Sequence, residues 1–192
     1  MPESPHVVPM LPSVVTLSVV ALLVLSGWLW SRRALTLPRV GCAVAVSAYA
    51  GGIVANTVFP FLLGGAPDRP AWWLFVNLTP LVGTEPVDMA ANVLVFVPLG
   101  VLLPLVARVD SVRRVVLWGF LVSLAMEVTQ LVNAVTGHGG HVADVNDLLA
   151  NTLGALVGYG GLRAATLLPS VARLVVATQW PGPAASTVDR AA

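Results

Sequence analysis

The sequence contains little charge and no lysine at all. Of its 192 residues only 10% are charged, every basic side chain is an arginine, and 57% of the residues are hydrophobic. A chain of this composition has too few polar side chains to cover a water-soluble surface, so its expected surrounding is lipid. The net charge of +1 provides no clustered basic face, which argues against nucleic acid as a partner.

Cysteine is almost absent, because Cys42 is the only one in the chain. A disulfide framework and a cysteine metal cluster are therefore excluded. Cys42 also lies inside an apolar stretch, so redox chemistry is not expected.

Long apolar runs dominate what the chain does contain. A bilayer core about 30 Å thick needs about 20 apolar residues in a helix that rises 1.5 Å per residue. This length predicts an all-α fold, a polytopic transmembrane helical bundle of about five spans, at residues 11–31, 39–60, 88–107, 112–136 and 146–166. We expect three regions: two N-terminal spans in 1–60, a core of one loop and three spans in 61–168, and a short apolar segment with a disordered tail in 169–192.

Arginines occur in alternate connections between the predicted spans. They follow span one, separate spans three and four, and follow span five: Arg32, Arg33, Arg39, Arg108, Arg113, Arg114, Arg163, Arg173 and Arg190. Only Arg69 falls in the other set of connections. Because positively charged loops stay in the cytoplasm, we expect a multi-pass protein of the cell membrane with an extracytoplasmic N-terminus and a cytoplasmic C-terminus.

Ionisable and amide side chains gather near the predicted outer ends of the spans. Span four carries Ser123, Glu127 and Gln130 on one helical face, since offsets of four and three residues bring side chains together. Glu127 lies about 12 Å below the outer end of its span. There its carboxylate must be ionised beside a partner or in a cavity, or the group must be protonated. Glu127 is therefore a functional candidate. The alternative is that Glu127 and Gln130 only hydrogen-bond neighbouring spans.

A second group of acids lies where span five begins. Asp144 and Asp147 share a helical face with Asn151, because the offsets are three and four residues. The alternative for the two aspartates is an N-terminal cap, a common use of Asp at the positive end of a helix dipole. The other candidates for ligand binding are Asn77 in the outer loop, Asn92 in span three and His141 in the glycine-rich loop before span five.

Small residues in the spans carry a separate prediction about packing. Gly154 and Gly158 form a G-x-x-x-G pattern in span five, and we expect it to serve packing within the bundle rather than dimerisation. In span three, Pro98 and Pro104 flank Gly100 and should kink the helix or leave unpaired carbonyls toward its middle. A kink could open a cavity beneath Asn92.

Four motifs follow one another in order along the chain. They are NLTPL at 77–81, NVLVFVPLG at 92–100, SLAMEVTQ at 123–130 and HVADVNDLLANTLGALVGY at 141–159. Together they resemble the VanZ-like family, which has an N-L-x-P-F element, an N-x-L-x-F-x-P-x-G span, an S-x-x-x-E-x-x-Q span and an R-x-x-D-x-x-D-x-x-x-N-x-x-G segment. The sequence departs from this pattern at His141, where the family has Arg, and at Leu81, where it has Phe.

The resemblance implies an integral membrane protein of the bacterial cell envelope, whose namesake accompanies glycopeptide resistance and lowers susceptibility to teicoplanin. On the matching positions, the family's polar residues would be Asn77, Asn92, Glu127, Gln130, Asp144, Asp147 and Asn151. Where the family's Arg could pair with an anion, His141 would do so only when protonated.

Three functions stay open on these residues. The first is a non-catalytic envelope protein that binds membrane lipid, a lipid-linked envelope precursor or a lipoglycopeptide at the outer leaflet. The second is a membrane-embedded hydrolase or transferase in which Glu127 acts as general acid or base. There, Asp144, Asp147 and His141 would orient substrate or hold a divalent ion such as Mg²⁺ or Mn²⁺. The third is a proton-linked transporter using Glu127, although the sequence shows no internal repeat.

Overall fold

The helices of the computed structural model follow the apolar runs of the sequence. The structure describes residues 6–64, 71–83, 85–139 and 141–182. Within those ranges the helices are α1 (Met10–Ser31), α2 (Leu37–Val58), α3 (Pro86–Val106), α4 (Val112–Val135), α5 (Val145–Ala165) and α6 (Pro169–Thr178). A short 3₁₀-helix occupies Trp72–Phe75. Two pairs of short strands join the loops, β1 (His6–Val7) antiparallel to β2 (Leu62–Leu63) and β3 (Val76–Asn77) parallel to β4 (Ala143–Asp144).

The predicted all-α membrane bundle is confirmed, and α1 to α5 agree with the predicted spans to within two residues at each end. Helices α1 to α4 are long and apolar enough to cross a membrane. Helix α5 has 21 residues, which is also a spanning length, but its polar residues make it less apolar. Helix α6 lies in the region after span five for which the sequence predicted no helix. It begins at Pro169, a residue whose fixed φ suits the first helical turn.

Helices α3 and α5 run parallel and share the most extensive interface of the bundle. Glycines bring their main chains together. A Cβ atom at Gly154 would collide with the carbonyl oxygen of Val93, one at Gly158 with that of Val97, and one at Gly100 with α5 in the same way. These contacts confirm the prediction that the G-x-x-x-G pattern serves packing within the bundle. Helix α3 stays continuous through both of its internal prolines.

One end of the bundle, which we call the arginine end, is where α1, α3 and α5 finish and α2 and α4 begin. Here the Nε atom of Arg39 donates to the carbonyl oxygen of Gln179 at 2.9 Å, and that of Arg108 donates to the carbonyl oxygen of Trp180 at 3.0 Å. The Trp180 ring is buried 5.6 Å from the ring of Trp28. These contacts hold the segment after α6 against α1, α2 and α3.

Two residues used to predict orientation, Arg69 and Arg190, lie outside the described residues, as does most of the predicted tail, residues 183–192. The remaining arginines assigned to the cytoplasmic side follow α1, α3 or α5, begin α2 or α4, or, for Arg163, lie in the last turn of α5. They therefore belong to the arginine end, as the alternating pattern predicts.

Candidate functional site

The opposite end of the bundle, which we call the carboxylate end, is where α2 and α4 finish and α3 and α5 begin. The pairing of β3 with β4 places Asn77 directly opposite Asp144. A loop before α3 and a loop before α5 are thereby joined beside the last turns of α4. The helix directions bring candidate residues that are far apart in sequence to this end, and the strand pairing joins their loops.

Asp144 connects three segments of the carboxylate end. Its Oδ1 atom accepts hydrogen bonds from the backbone N–H of Asn146 at 2.7 Å and from Nδ2 of the same residue at 2.8 Å. Its Oδ2 atom accepts from Nδ2 of Asn77 at 3.0 Å, and its own N–H donates to Oε2 of Glu127 at 2.8 Å. The capping interpretation of Asp144 is thus confirmed, and the same residue also fixes the outer loop and Glu127.

Asn146 is a residue that the sequence analysis missed. It is fully buried, its Oδ1 atom accepts from the N–H of Leu81 at 2.6 Å, and its Nδ2 atom donates to the carbonyl oxygen of Thr79 at 3.4 Å. Leu81 takes a left-handed conformation with φ of 61° to present that N–H. The sequence did contain a signal, because Asn146 precedes Ala150 and Gly154 at intervals of four and so belongs to the most closely packed face of α5.

The polar face predicted for span four is confirmed, since Ser123, Glu127 and Gln130 are all buried in α4. Ser123 lies deepest and its Oγ atom accepts from Nδ2 of Asn151 at 3.0 Å. Asn151 therefore binds α4 below the acids instead of joining Asp144. Glu127 keeps only 7% of its surface exposed and borders a cavity at the outside of the bundle.

A polar pocket of about 290 Å³ lies between α2, α3, α4 and the start of α5. Its polar lining consists of Asn56, Asp88, Asn92, Gln130, His141, Asp144 and Asp147. Within it, Nδ2 of Asn92 donates to Oδ1 of Asp147 at 2.5 Å. Gln130 is only 8% exposed, and among the described residues its amide has no hydrogen-bond partner. The pocket thus presents three carboxylates and the side-chain amide of Gln130 to its interior.

An apolar groove of about 190 Å³ lies on the outer surface of α4 and α5. Its apolar walls include Leu78, Leu124, Val128, Leu131 and Leu148. Glu127 and Asp144 border it as well, but nearly all of its lining surface is apolar. Val128 is 50% exposed on the outside of the bundle, so the groove opens where lipid surrounds the helices. Asp144 also lines the polar pocket, so the two cavities lie on either side of this residue.

The candidates lie at four positions. The polar pocket contains Asn92, Gln130, His141, Asp144 and Asp147. Glu127 borders the groove, Asn77 binds Asp144 from the outer loop, and Asn151 lies apart with Ser123. Asp88 and Asn56 also line the pocket, although neither was among the candidates. Asp88 could have been found from its position one helical turn before Asn92.

The donor set for a metal ion is incomplete in the part of the chain that the structure describes. No three His, Cys, Asp or Glu side chains are grouped there so as to hold a metal ion. The proposed ligands Asp144, Asp147 and His141 share the polar pocket, but the two aspartates accept hydrogen bonds from asparagine amides.

The fold and the site define a polytopic α-helical membrane protein with a polar pocket at one end of its bundle. The chain belongs to the VanZ/LLP1 family, whose profile matches residues 46–167, well over half of the chain. That range contains all four motifs of the VanZ-like resemblance, which is thereby confirmed, and every candidate site residue. No curated protein and no solved structure matches the chain.

Proposed function

We propose that this VanZ-family protein binds an amphiphile at the outer leaflet of a bacterial cell membrane, either a lipid-linked envelope precursor or a lipidated glycopeptide such as teicoplanin. The polar headgroup enters the polar pocket and the hydrocarbon chain lies in the apolar groove. The observation that carries the proposal is the shared wall at Asp144, which lets one molecule with a polar and an apolar part occupy both cavities. Binding without turnover then protects the cell.

The sizes of the two cavities support a single ligand. Sites for small organic ligands usually have volumes of about 300–1,000 Å³. The groove of about 190 Å³ and the pocket of about 290 Å³ each fall below that range, and only the two together come within it. The apolar chain of such a ligand would displace membrane lipid from the walls of the groove. Its headgroup would displace water from the polar pocket.

The positions of the charges support one direction of the protein in the membrane. Arginines gather at the end opposite the polar pocket, and positively charged loops stay in the cytoplasm. On this proposal the carboxylate end faces outward, where lipid-linked wall precursors and lipidated drugs meet the membrane.

Cysteine labelling tests this orientation. In a Cys42→Ala background, Val82→Cys places an exposed thiol at the carboxylate end and Leu167→Cys places one at the arginine end. A membrane-impermeant maleimide should label Val82→Cys in intact cells and Leu167→Cys only after permeabilisation. The reverse pattern would contradict an outward-facing site.

Filling the groove tests binding itself. Val128 and Val132 lie one turn apart on α4 and are 50% and 53% exposed, but only Val128 lines the groove. Val128→Trp should weaken binding of fluorescent teicoplanin to the purified protein in nanodiscs by about tenfold or more, because the indole takes the place of the chain. Val132→Trp serves as the matched control and should bind as the wild type does. Equal binding by the two variants and the wild type would contradict the proposal.

A membrane-embedded hydrolase or transferase is the second candidate, and the position of Glu127 favours it. This carboxylate is held by the N–H of Asp144 at 2.8 Å and borders the groove where headgroup and chain of a bound amphiphile would join. A general acid or base must lie within hydrogen-bond reach of the reacting group, which this position allows. Glu127→Gln keeps the acceptor for Asp144 but removes acid chemistry. Full teicoplanin protection by that variant would support binding, and retained binding with lost protection would support catalysis.

A further inference from the structure

The charge of the polar pocket is strongly one-sided. Its lining contains three carboxylates, Asp88, Asp144 and Asp147, and among the described residues that line it none is an arginine. Among the described residues that line it, His141 is the only side chain that can become positive, and it does so only by taking up a proton. An anionic headgroup entering this pocket would meet like charges, whereas a cationic one would be attracted.

The hydrogen bonds within the pocket do not remove this charge. Asp144 accepts from Asn146 and Asn77, and Asp147 accepts from Asn92. All of these donors are neutral amides, which satisfy acceptor atoms and leave the negative charges of the carboxylates uncompensated. Among the described residues, Oδ2 of Asp147 has no donor, so a charged group of the ligand can still be received there.

Gln130 provides an independent sign of a ligand. Its side chain is more than nine-tenths buried, lines the pocket from α4 and has no hydrogen-bond partner among the described residues. The Gln130 amide lines the pocket and is available to pair with a polar group that enters there. It adds a neutral polar group to the carboxylates of Asp88 and Asp147.

A primary ammonium group matches this arrangement. It carries one positive charge and three N–H donors and has no acceptor of its own. A metal ion would need converging ligands, and no group of three suitable side chains occurs in the described ranges. We propose that the polar pocket selects amphiphiles whose headgroup carries a primary ammonium group. This inference rests on the proposed function and narrows its ligand to one class.

Three amphiphiles with the same saturated chain test the inference, namely a primary alkylammonium, an alcohol and a phosphate monoester. Their binding to the full-length protein in nanodiscs of a phosphatidylcholine, whose headgroup has no N–H, is measured by competition against the fluorescent ligand. The ammonium compound should bind about tenfold or more tightly than the other two, the effect of one charge-assisted hydrogen bond.

Two pocket variants and one control connect the preference to the pocket. Asp147→Asn removes one charge while keeping an acceptor for Asn92, and His141→Arg adds a permanent positive charge. Both should remove the preference for ammonium. Asp110→Asn removes an exposed carboxylate at the arginine end and should leave it unchanged. If one of the two pocket variants does not fold, the other still tests whether the pocket causes the preference for ammonium.

The outcomes separate this inference from the proposed function. If the alcohol or the phosphate competes as well as the ammonium compound, and Val128→Trp still weakens binding, the inference is wrong and the proposed function stands. If none of the three competes, both are wrong. Repeating the measurement in nanodiscs that contain a primary-amine phospholipid identifies the source of the group. If that phospholipid competes with the fluorescent ligand, the pocket recognises ammonium and bulk lipid is its ligand. If the preference for the alkylammonium compound persists and the phospholipid does not compete, the ligand is a scarcer molecule that carries an amine.

Discussion

Replacing Asp144 with alanine removes the acceptor atoms on which the start of α5 and the outer loop depend. The lost N-cap costs about 1 kcal/mol. The Nδ2 atom of Asn146, a fully buried residue, loses its short bond to Oδ1 of Asp144, and an unsatisfied buried donor costs about 1–3 kcal/mol. Added together, these two effects predict that the free energy of unfolding falls by about 2–4 kcal/mol.

Asp144→Asn separates the cap from the charge. Asparagine caps helices about as well as aspartate, so the bond to the N–H of Asn146 is retained. Its amide nitrogen would instead face the amide nitrogen of Asn77, which loses one acceptor. One lost hydrogen bond near the surface predicts a decrease of about 1 kcal/mol.

Reversible unfolding of the purified protein in mixed detergent micelles measures these differences. Ser111→Ala is the matched control, because Ser111 occupies the N-cap position of α4 without a capping hydrogen bond from its side chain. It should change the free energy of unfolding by less than about 0.5 kcal/mol. If Asp144→Ala were no more destabilising than Ser111→Ala, the anchoring role given to Asp144 would be refuted.

Other substitutions test the packing of the bundle. Gly158→Val should destabilise it by about 1–3 kcal/mol, because its side chain would collide with α3. A Cβ atom at Gly160 meets nothing within 4 Å, so Gly160→Val should be tolerated in the same unfolding assay. Ser123→Ala leaves Nδ2 of Asn151 without its acceptor and should cost about 1–2 kcal/mol, while an unchanged unfolding curve would show that their bond contributes nothing. Trp180→Ala empties a buried position and should cost about 3–5 kcal/mol, with faster limited proteolysis after α6 as a second measurement.

The parts of the fold that depend on local pattern could be predicted from the sequence. Span limits follow from the thickness of the bilayer and the rise of a helix, which is why the predicted and observed helices agree closely. The common face of Ser123, Glu127 and Gln130 follows from helical periodicity, and their burial confirms it. The four ordered motifs were sufficient to indicate the family.

The parts that depend on contacts between distant segments could not be predicted in this way. The burial of Asn146 requires a loop that brings Leu81 back to α5 in a left-handed conformation, and no local pattern specifies that return. Asn151 shares a helical face with Asp144, yet it binds Ser123 because α4 crosses α5 at that depth. The separation of polar pocket and apolar groove likewise arises only when α4 and α5 are placed side by side.

The glycine contacts between α3 and α5 have a mechanical consequence. Where two helices touch through their main chains, no side chain lies between them whose rotation could let one slide over the other. A displacement of α5 at the arginine end would therefore carry α3 with it and move Asn92 and Asp147 together, without changing their separation. Any widening of the polar pocket would then come from movement of α2 or α4 against this pair.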